Sequence, residues 1–492
     1  MNYFLSIDQS TSATKVLLYD ADSRLLDRES VEHQQIYPRT GWVEHDLEAI
    51  WRNLLTVVGQ LLGRHRDKVA SLACVSLTNQ RETIAVFERQ TGKPLHNAIV
   101  WLCRRGSPIC DSLEKQGKGE EVHRKTGLRL DPYFSASKLK WLIDEKPDIA
   151  AQLQRGDALI GTIDTYLIHR LTEGTVFATD HTNASRTLLY DIGELRWDDS
   201  LCAMFGVPMQ ALPEVRESSA HFGETTFDGL LPEPVPIHGV MGDSQASLFA
   251  QRCYQAGDAK VTFGTGSSVL LNMGNELRIS EGALVSTIAW VWQGRPTYSF
   301  EGIINFSAAS IAWLKDQVGL LKNSAESAEL AASLEDNGGV YLVPAFAGLG
   351  APHWKPDARA AIVGLTTAAS RHHIARAALE SIAYQLFDVL QIMREDAGVD
   401  LKGIQADGGP TQNPFLMQFT ADIVGIELHA STVSDCSALG AMMAGMLGTK
   451  RCGSLEDLAA LPRDAQVYAP QMAVETVQQN LNGWEAAVKR VL

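Results

Sequence analysis

The chain has 492 residues, 45% hydrophobic and 21% charged, with a formal net charge of −15. That composition supports a large packed core and excludes wholesale disorder. The acidic balance argues against a nucleic-acid partner, which needs a basic footprint, but not against an anionic ligand held by local N–H groups and a cation.

The length predicts more than one domain. The seven cysteines are scattered and none forms C-x-x-C. This reads as reduced thiols in a cytoplasmic protein without a zinc site. No signal-peptide pattern precedes the first strand, and no apolar stretch reaches the roughly 18 residues of a membrane span.

In chain order, the first apolar run, Tyr3-Phe4-Leu5-Ser6-Ile7, leads into Asp8-Gln9-Ser10-Thr11-Ser12-Ala13-Thr14-Lys15 and a second run, Val16–Tyr19. This predicts a β-hairpin with a small, hydroxyl-rich tip, which lets N–H groups and hydroxyls approach an anion closely. Asp8, at the strand end, suits Mg²⁺ or a plain turn. Asp46 suits the N-cap of a helix with Leu47, Ile50, Trp51, Leu54, Leu55, Val58 and Leu62 on one face. A buried-strand pattern, 72–77, then ends at Asn79-Gln80-Arg81-Glu82. Arg81 and Glu82 offer a donor fork beside an acceptor, suited to two adjacent hydroxyls or to a structural ion pair. Trp101 and Tyr133 suit either the carbon face of a sugar-like substrate or the core.

The run 236–241 ends at Gly242-Asp243, where Asp243 reads either as a helix N-cap or as a general base for a hydroxyl. A second hairpin pattern follows: Ala259–Phe263, the tip Gly264-Thr265-Gly266-Ser267-Ser268, then Val269-Leu270-Leu271. One such tip reads equally well as an ordinary turn. Two at matching places in the two halves read as two grips on one polyphosphate, with two lobes of related plan and a boundary near 244–258. The run 403–406 ends at Asp407-Gly408-Gly409-Pro410-Thr411-Gln412-Asn413-Pro414. Asn413 suits an N-cap, Pro414 a first helical turn, and the paired glycines the close approach of a flat base. The small-residue run 438–447 reads as a tightly packed buried helix. Strands and helices alternate, predicting an α/β fold with ligands beyond the strand carboxyl ends. Neither a P-loop nor a Rossmann glycine pattern occurs.

Two longer stretches carry a resemblance. Tyr133-Phe-Ser-Ala-Ser-Lys138-Leu-Lys-Trp141-Leu-Ile-Asp144-Glu145, and Ala360–Leu365 continuing to His373–Glu380, fit two signatures of the FGGY carbohydrate kinases. Within that family the stretches 41–46, 79–83, 97–101, 131–134 and 182–187 resemble the glycerol-phosphorylating branch. The resemblance implies two actin-like (ribonuclease H-like) ATPase lobes with an interlobe cleft, residues 1–248 and 249–492. It implies ATP and Mg²⁺ as cofactors, a polyol substrate with glycerol foremost, and a homodimer or homotetramer. Arg81, Glu82, Trp101, Tyr133 and Asp243 would contact the polyol, with Asp243 as general base. Thr11, Ser12, Lys15 and Thr265 would contact the ATP phosphates, Gly409 and Asn413 the adenosine, and Asp8 the metal.

The chain departs from that branch at several positions. It has Ser10 in place of Gly, Ser244 in place of Gln, Ser268 in place of an aromatic, and Ala308 and Ala312 in place of Gly and Gln. Ser244 and Ser268 imply a smaller-walled, more polar pocket, open to a longer polyol or a ketose. Thr226–Pro232 stands where the branch carries a Gly/Arg-rich regulatory loop, so that regulation is not expected here.

Overall fold

The computed structural model describes residues 2–492 apart from 283, 351, 352, 354, 356 and 434. The first hairpin forms as predicted, with β1 (Tyr3–Gln9) antiparallel to β2 (Ala13–Tyr19), which pairs in turn with β3 (Leu25–Glu32). On the other side β1 runs parallel to β4 (Leu72–Asn79). The antiparallel strand β5 (His221–Thr225) forms the edge beyond β6 (Val235–Gly242), which is parallel to β4. The sheet order is β3-β2-β1-β4-β6-β5.

The second sheet repeats the plan. Strands β7 (Asp258–Phe263) and β8 (Ser267–Gly274) form the second hairpin. Next to β8 lies β10 (Arg295–Ile304), with β9 (Val285–Trp292) outside it. On the opposite side β7 is parallel to β11 (Gly403–Asp407), which is parallel to β12 (Leu428–Ser431), and β13 (Ala465–Tyr468) closes the edge antiparallel. The order β10-β8-β7-β11-β12-β13 matches the first sheet strand for strand in direction, with β9 added.

Asp46 caps α1 (Leu47–Arg64), accepting from the N–H groups of Glu48 and Ala49. The buried face is the predicted one, except that Val57 and Leu61 are also buried while Leu55 is only partly so. Two helices knit the halves together. α2 (Asp243–Ala250) leaves β6, and α3 (Cys436–Gly448) is the predicted small-residue helix, which packs against α2 and the first sheet although it follows β12 of the second. Glycine is what permits this approach: a Cβ at Gly440 would overlap the Ala246 carbonyl. From α2, Ser247 Oγ donates to Asp407 Oδ2 at the end of β11 (2.5 Å). A small third sheet is built from Glu44–His45, Ile84–Glu88, Ala98–Ile99 and Ala158–Thr162, and the chain leaves Ala98–Ile99 for Trp101, while Tyr133 lies just before the helix Ser135–Glu145. All seven cysteines are free and buried. Among the described residues no helix is long and apolar enough to cross a membrane.

Candidate active site

Beyond the carboxyl end of β4 the chain turns sharply. Thr83 N–H donates to Arg81 O at 2.7 Å, with Glu82 between them at φ 61°. A non-glycine residue in that region is strained, and such strain persists only where surrounding contacts hold it. Here they do. Ser135 Oγ donates to the Glu82 carbonyl (2.9 Å), and Arg186 Nε donates to Glu82 Oε1 (2.6 Å).

Arg81 is buried and points across to the second sheet. Its Nη2 donates to Glu301 Oε1 (2.7 Å), while its Nη1 reaches Glu301 Oε2 (3.3 Å) and Gln245 Oε1 (3.1 Å). A guanidinium has five N–H donors; these three bonds leave Nε–H and one Nη2–H. The Nε atom lies 3.3 Å from Asp243 Oδ1. The predicted fork is therefore closed on Glu301, and the face left open lies towards Asp243.

Asp243 is the first residue of α2, with Gly242 in the N-cap position. The helix-cap reading is thus corrected by one residue: the Asp243 side chain accepts from the next N–H, that of Ser244 (2.7 Å), and is 38% exposed. Its backbone is fixed from both sides. Thr182 Oγ1 accepts from Gly242 N–H (2.8 Å), and Ser437 Oγ on α3 donates to the Asp243 carbonyl (2.9 Å). Thr182 is itself held by Asp180, which caps the short helix His181–Ala184.

Trp101 and Tyr133 meet with ring centroids 5.2 Å apart and planes at 58°. Trp101 Nε1 donates to Thr11 Oγ1 (3.0 Å), tying the aromatic wall to the first hairpin tip. Lys138 Nζ donates to the carbonyls of Pro132, Tyr133 and Phe134 (2.6, 2.7 and 2.8 Å), holding the Tyr133 loop. Burial pushes the Tyr133 hydroxyl pKa up, keeping it protonated.

At the hairpins, Ser10 N–H closes the first tip on Ala13 O and Gly264 N–H closes the second on Gly266 O. Ser12 and Thr265 are exposed and Thr11 half-buried. Lys15 lies 3.1 Å from Asp8 on the paired strand and 3.4 Å from Asp435 at the start of α3. Burial opposes its charge, but Asp8 and Asp435 outweigh burial and raise the Lys15 pKa. Asp8 is pushed up by burial, against the pull of Lys15 and with the push of Asp243 and Asp435. A divalent cation would relieve that crowding of carboxylates.

Gly408 and Gly409 differ in role. Gly408 sits at φ +98°, where a Cβ would overlap the Phe263 carbonyl, so it is a backbone requirement. A Cβ at Gly409 would meet nothing within 4 Å, so this glycine leaves open space. Asn413 caps the helix Pro414–Val424 by accepting from Leu416 N–H, which leaves its amide N–H₂ for other partners.

Within the second hairpin, Lys260 Nζ, Thr262 Oγ1 and Ser267 Oγ are buried and make no hydrogen bond among the described residues, and Lys260 feels the charges of Asp407 and Glu301. Among the described residues no group of three or more His, Cys, Asp or Glu side chains is placed to hold a metal. Mg²⁺ commonly takes only one or two carboxylates, with water and substrate phosphates completing its shell, so Asp8 fits it.

Sequence reasoning assigned no role to Glu301, Arg186, Asp435 or Lys260. Glu301, between Phe300 and Gly302, and Lys260, between Ala259 and Val261, had a legible signal, each being a charge with apolar or small neighbours on both sides inside a strand. Arg186 and Asp435 sit in loops whose partners only the folded chain reveals.

Residues 3–250 match the FGGY family of carbohydrate kinases, N-terminal domain, and residues 259–449 match its C-terminal domain. The chain is 43% identical over 490 residues to glycerol kinase 1 of Thermotoga maritima, covering 100% of this chain and 99% of that protein. It is 44% identical over 490 residues to glycerol kinase of Desulfitobacterium hafniense, with the same coverage. The crystal structure of Plasmodium falciparum glycerol kinase with ADP superposes with a TM-score of 0.96 at 37% identity, covering 100% of this chain and 98% of that one. Xylulose kinase from Lactobacillus acidophilus shares the fold, at TM-score 0.89 and 21% identity over 99% and 97% of the two chains. The duplicated hairpin sheets, the strand-end site between them and these full-length matches have one meaning: the chain belongs to the FGGY family of carbohydrate kinases and is an ATP-dependent kinase.

Proposed function

We propose that the protein transfers the γ-phosphoryl group of ATP to a primary hydroxyl of glycerol, giving glycerol 3-phosphate. The observation that carries this reading is the Asp243 carboxylate, part-exposed, fixed at a helix start and 3.3 Å from the buried Arg81 guanidinium. An alcohol is too weak an acid to ionise beforehand, so Asp243 accepts its proton as the bond to phosphorus forms. Arg81 and Glu82 orient the hydroxyls, and Trp101 and Tyr133 cover the carbons.

Thr11, Ser12 and Thr265 at the two tips, with Lys15, bind the phosphates, and Gly409 and Asn413 bind the adenosine. Asp8 holds Mg²⁺, which when bound neutralises phosphate charge. The lobes, residues 1–248 and 249–492, close on the substrates and exclude water, so that the polyol and not water is phosphorylated. The cytoplasm, where ATP and a reduced-thiol environment coexist, suits seven free cysteines.

A second reading, a four-carbon polyol, is favoured by one observation. Ser244 and Ser268 put small hydroxyl side chains at this site, the first next to Asp243 and the second bonded to Glu301 (3.3 Å). ADP release measured with glycerol, erythritol and threitol separates the two. A best kcat/KM for glycerol supports the first reading, and a tetritol ahead by more than about tenfold replaces it with the second.

A further inference from the structure

Four buried charges form a closed ring around the acceptor site. Arg81 and Arg186 come from the first half of the chain, and both reach Glu301 on β10 of the second sheet. Arg81 Nη2 lies 2.7 Å from Glu301 Oε1, and Arg186 Nη1 lies 2.8 Å from Glu301 Oε2. The ring closes through Glu82, 2.6 Å from Arg186 Nε and 3.8 Å from Arg81 Nε. Ser268 Oγ on β8 adds a further bond to Glu301 Oε1 (3.3 Å). Glu301 is 1% exposed.

A buried ion cluster of this kind adds little stability over apolar packing of the same volume, yet losing one member strands its partners. Its use is therefore sought in what it positions. Every Arg81 hydrogen bond goes to a residue whose place depends on the second sheet. Glu301 belongs to it, and Gln245, the other partner, is oriented by its amide donating to Ile288 O on β9 (3.3 Å). The guanidinium next to Asp243 thus has its orientation set from across the cleft. Burial works against the Glu301 charge, but Arg186 and Arg81 hold its carboxyl down at about 2, so Glu301 stays ionised at neutral pH.

We infer that Glu301 is a positioning residue that couples polyol recognition by Arg81 and Glu82 to the placement of the second lobe, and hence to nucleotide binding across both hairpins. The inference rests on the polyol-kinase reading above. If nucleotide draws the lobes together, Glu301 seats Arg81 for the polyol, and by reciprocity bound polyol favours nucleotide.

The test is calorimetric titration of glycerol into the full chain, with and without β,γ-methylene-ATP and Mg²⁺. The native protein is expected to bind glycerol at least about 5-fold more tightly with the nucleotide analogue present. Glu301→Gln is expected to bring that ratio to about 1 while changing analogue affinity alone by less than about 2-fold. A purely structural role would lower the melting temperature and leave the ratio unchanged. Should Glu301→Gln not fold, the charge-balanced pair Glu301→Gln with Arg186→Met takes its place in the same titrations. A ratio that survives in the variant, or a native ratio of 1, overturns the inference. If the native protein still releases ADP in response to glycerol, only the inference falls; if it does not, the polyol-kinase reading falls with it.

Discussion

The carboxylate of Asp243 and the guanidinium of Arg81 meet at 3.3 Å, one at the start of a helix after β6 and the other in a strained turn after β4. Because β4 and β6 are adjacent parallel strands, their carboxyl ends bring the two side chains together beyond one sheet edge. As the proposed base, Asp243 would accept a proton without first having to find its geometry. Asp243→Asn keeps the shape and removes the basicity. We expect kcat to fall about 10²–10⁴-fold with ATP affinity nearly unchanged, as read by steady-state kinetics alongside nucleotide titration. Near-native turnover would remove Asp243 from the role of base.

Lys15 carries the matching prediction on the phosphate side. Its ammonium is poised between Asp8 and Asp435, one from each half of the chain, and its raised pKa keeps it charged at neutral pH. A charge-assisted bond to phosphate contributes about 1.5–3 kcal/mol. Lys15→Met is therefore expected to raise the KM for ATP by roughly 10–150-fold, with a smaller change in the KM for the polyol. An ATP KM within twofold of native would place Lys15 outside the nucleotide site.

Much of this was legible in the sequence for a physical reason. Hairpins with hydroxyl tips, the Asp46 cap and the Asn413–Pro414 helix start are local devices, encoded within a few residues, and each forms where its pattern stands. Alternation of strand and helix placed Arg81, Glu82 and Asp243 at strand ends. What escaped was long-range. No spacing reveals that Glu301 lies against Arg81, 220 residues away, or Asp435 against Lys15, 420 residues away. The strained φ of Glu82 is equally unreadable, since Arg-Glu-Thr is no turn signal and the contacts that sustain it, from Ser135 and Arg186, are distant in sequence. Of the two readings open for Asp243, the N-cap one does not hold, because Gly242 occupies that position.

Ser244, beside Asp243, and Ser268, bonded to Glu301, should set acceptor size. Ser268→Phe together with Ser244→Gln fills the space near Asp243 with larger groups and removes the Ser268 bond to Glu301. We expect the ratio of kcat/KM for glycerol over erythritol to rise at least about tenfold, a difference of roughly 1.4 kcal/mol in transition-state binding. An unchanged ratio would show that these two serines do not define the acceptor pocket.

Asp164 makes stability depend on pH. It is fully buried, with Thr162 and Thr179 hydroxyls donating to it at 2.5 and 2.6 Å. Burial outweighs those bonds and pushes its carboxyl up to about 7 from 3.8. Between those values the folded chain holds a proton that the unfolded chain has released, so this group's contribution to stability is greatest below pH 4 and falls as pH rises to about 7. Asp164→Asn cannot ionise. Its stability relative to the native chain should improve from pH 4 to pH 8, by at most about 4 kcal/mol. Denaturant unfolding at the two pH values measures it, and a relative stability independent of pH would contradict the neutral, buried carboxyl.

The most direct test of the whole account is ADP release from ATP and Mg²⁺ in the presence and absence of glycerol, with erythritol, threitol, dihydroxyacetone, xylulose and ribulose in parallel. The account predicts that ADP release requires the polyol, that glycerol gives the highest kcat/KM, and that glycerol 3-phosphate accumulates one for one with ADP. ADP release that proceeds at the same rate without any polyol, or a ketose that outpaces every polyol, would contradict it.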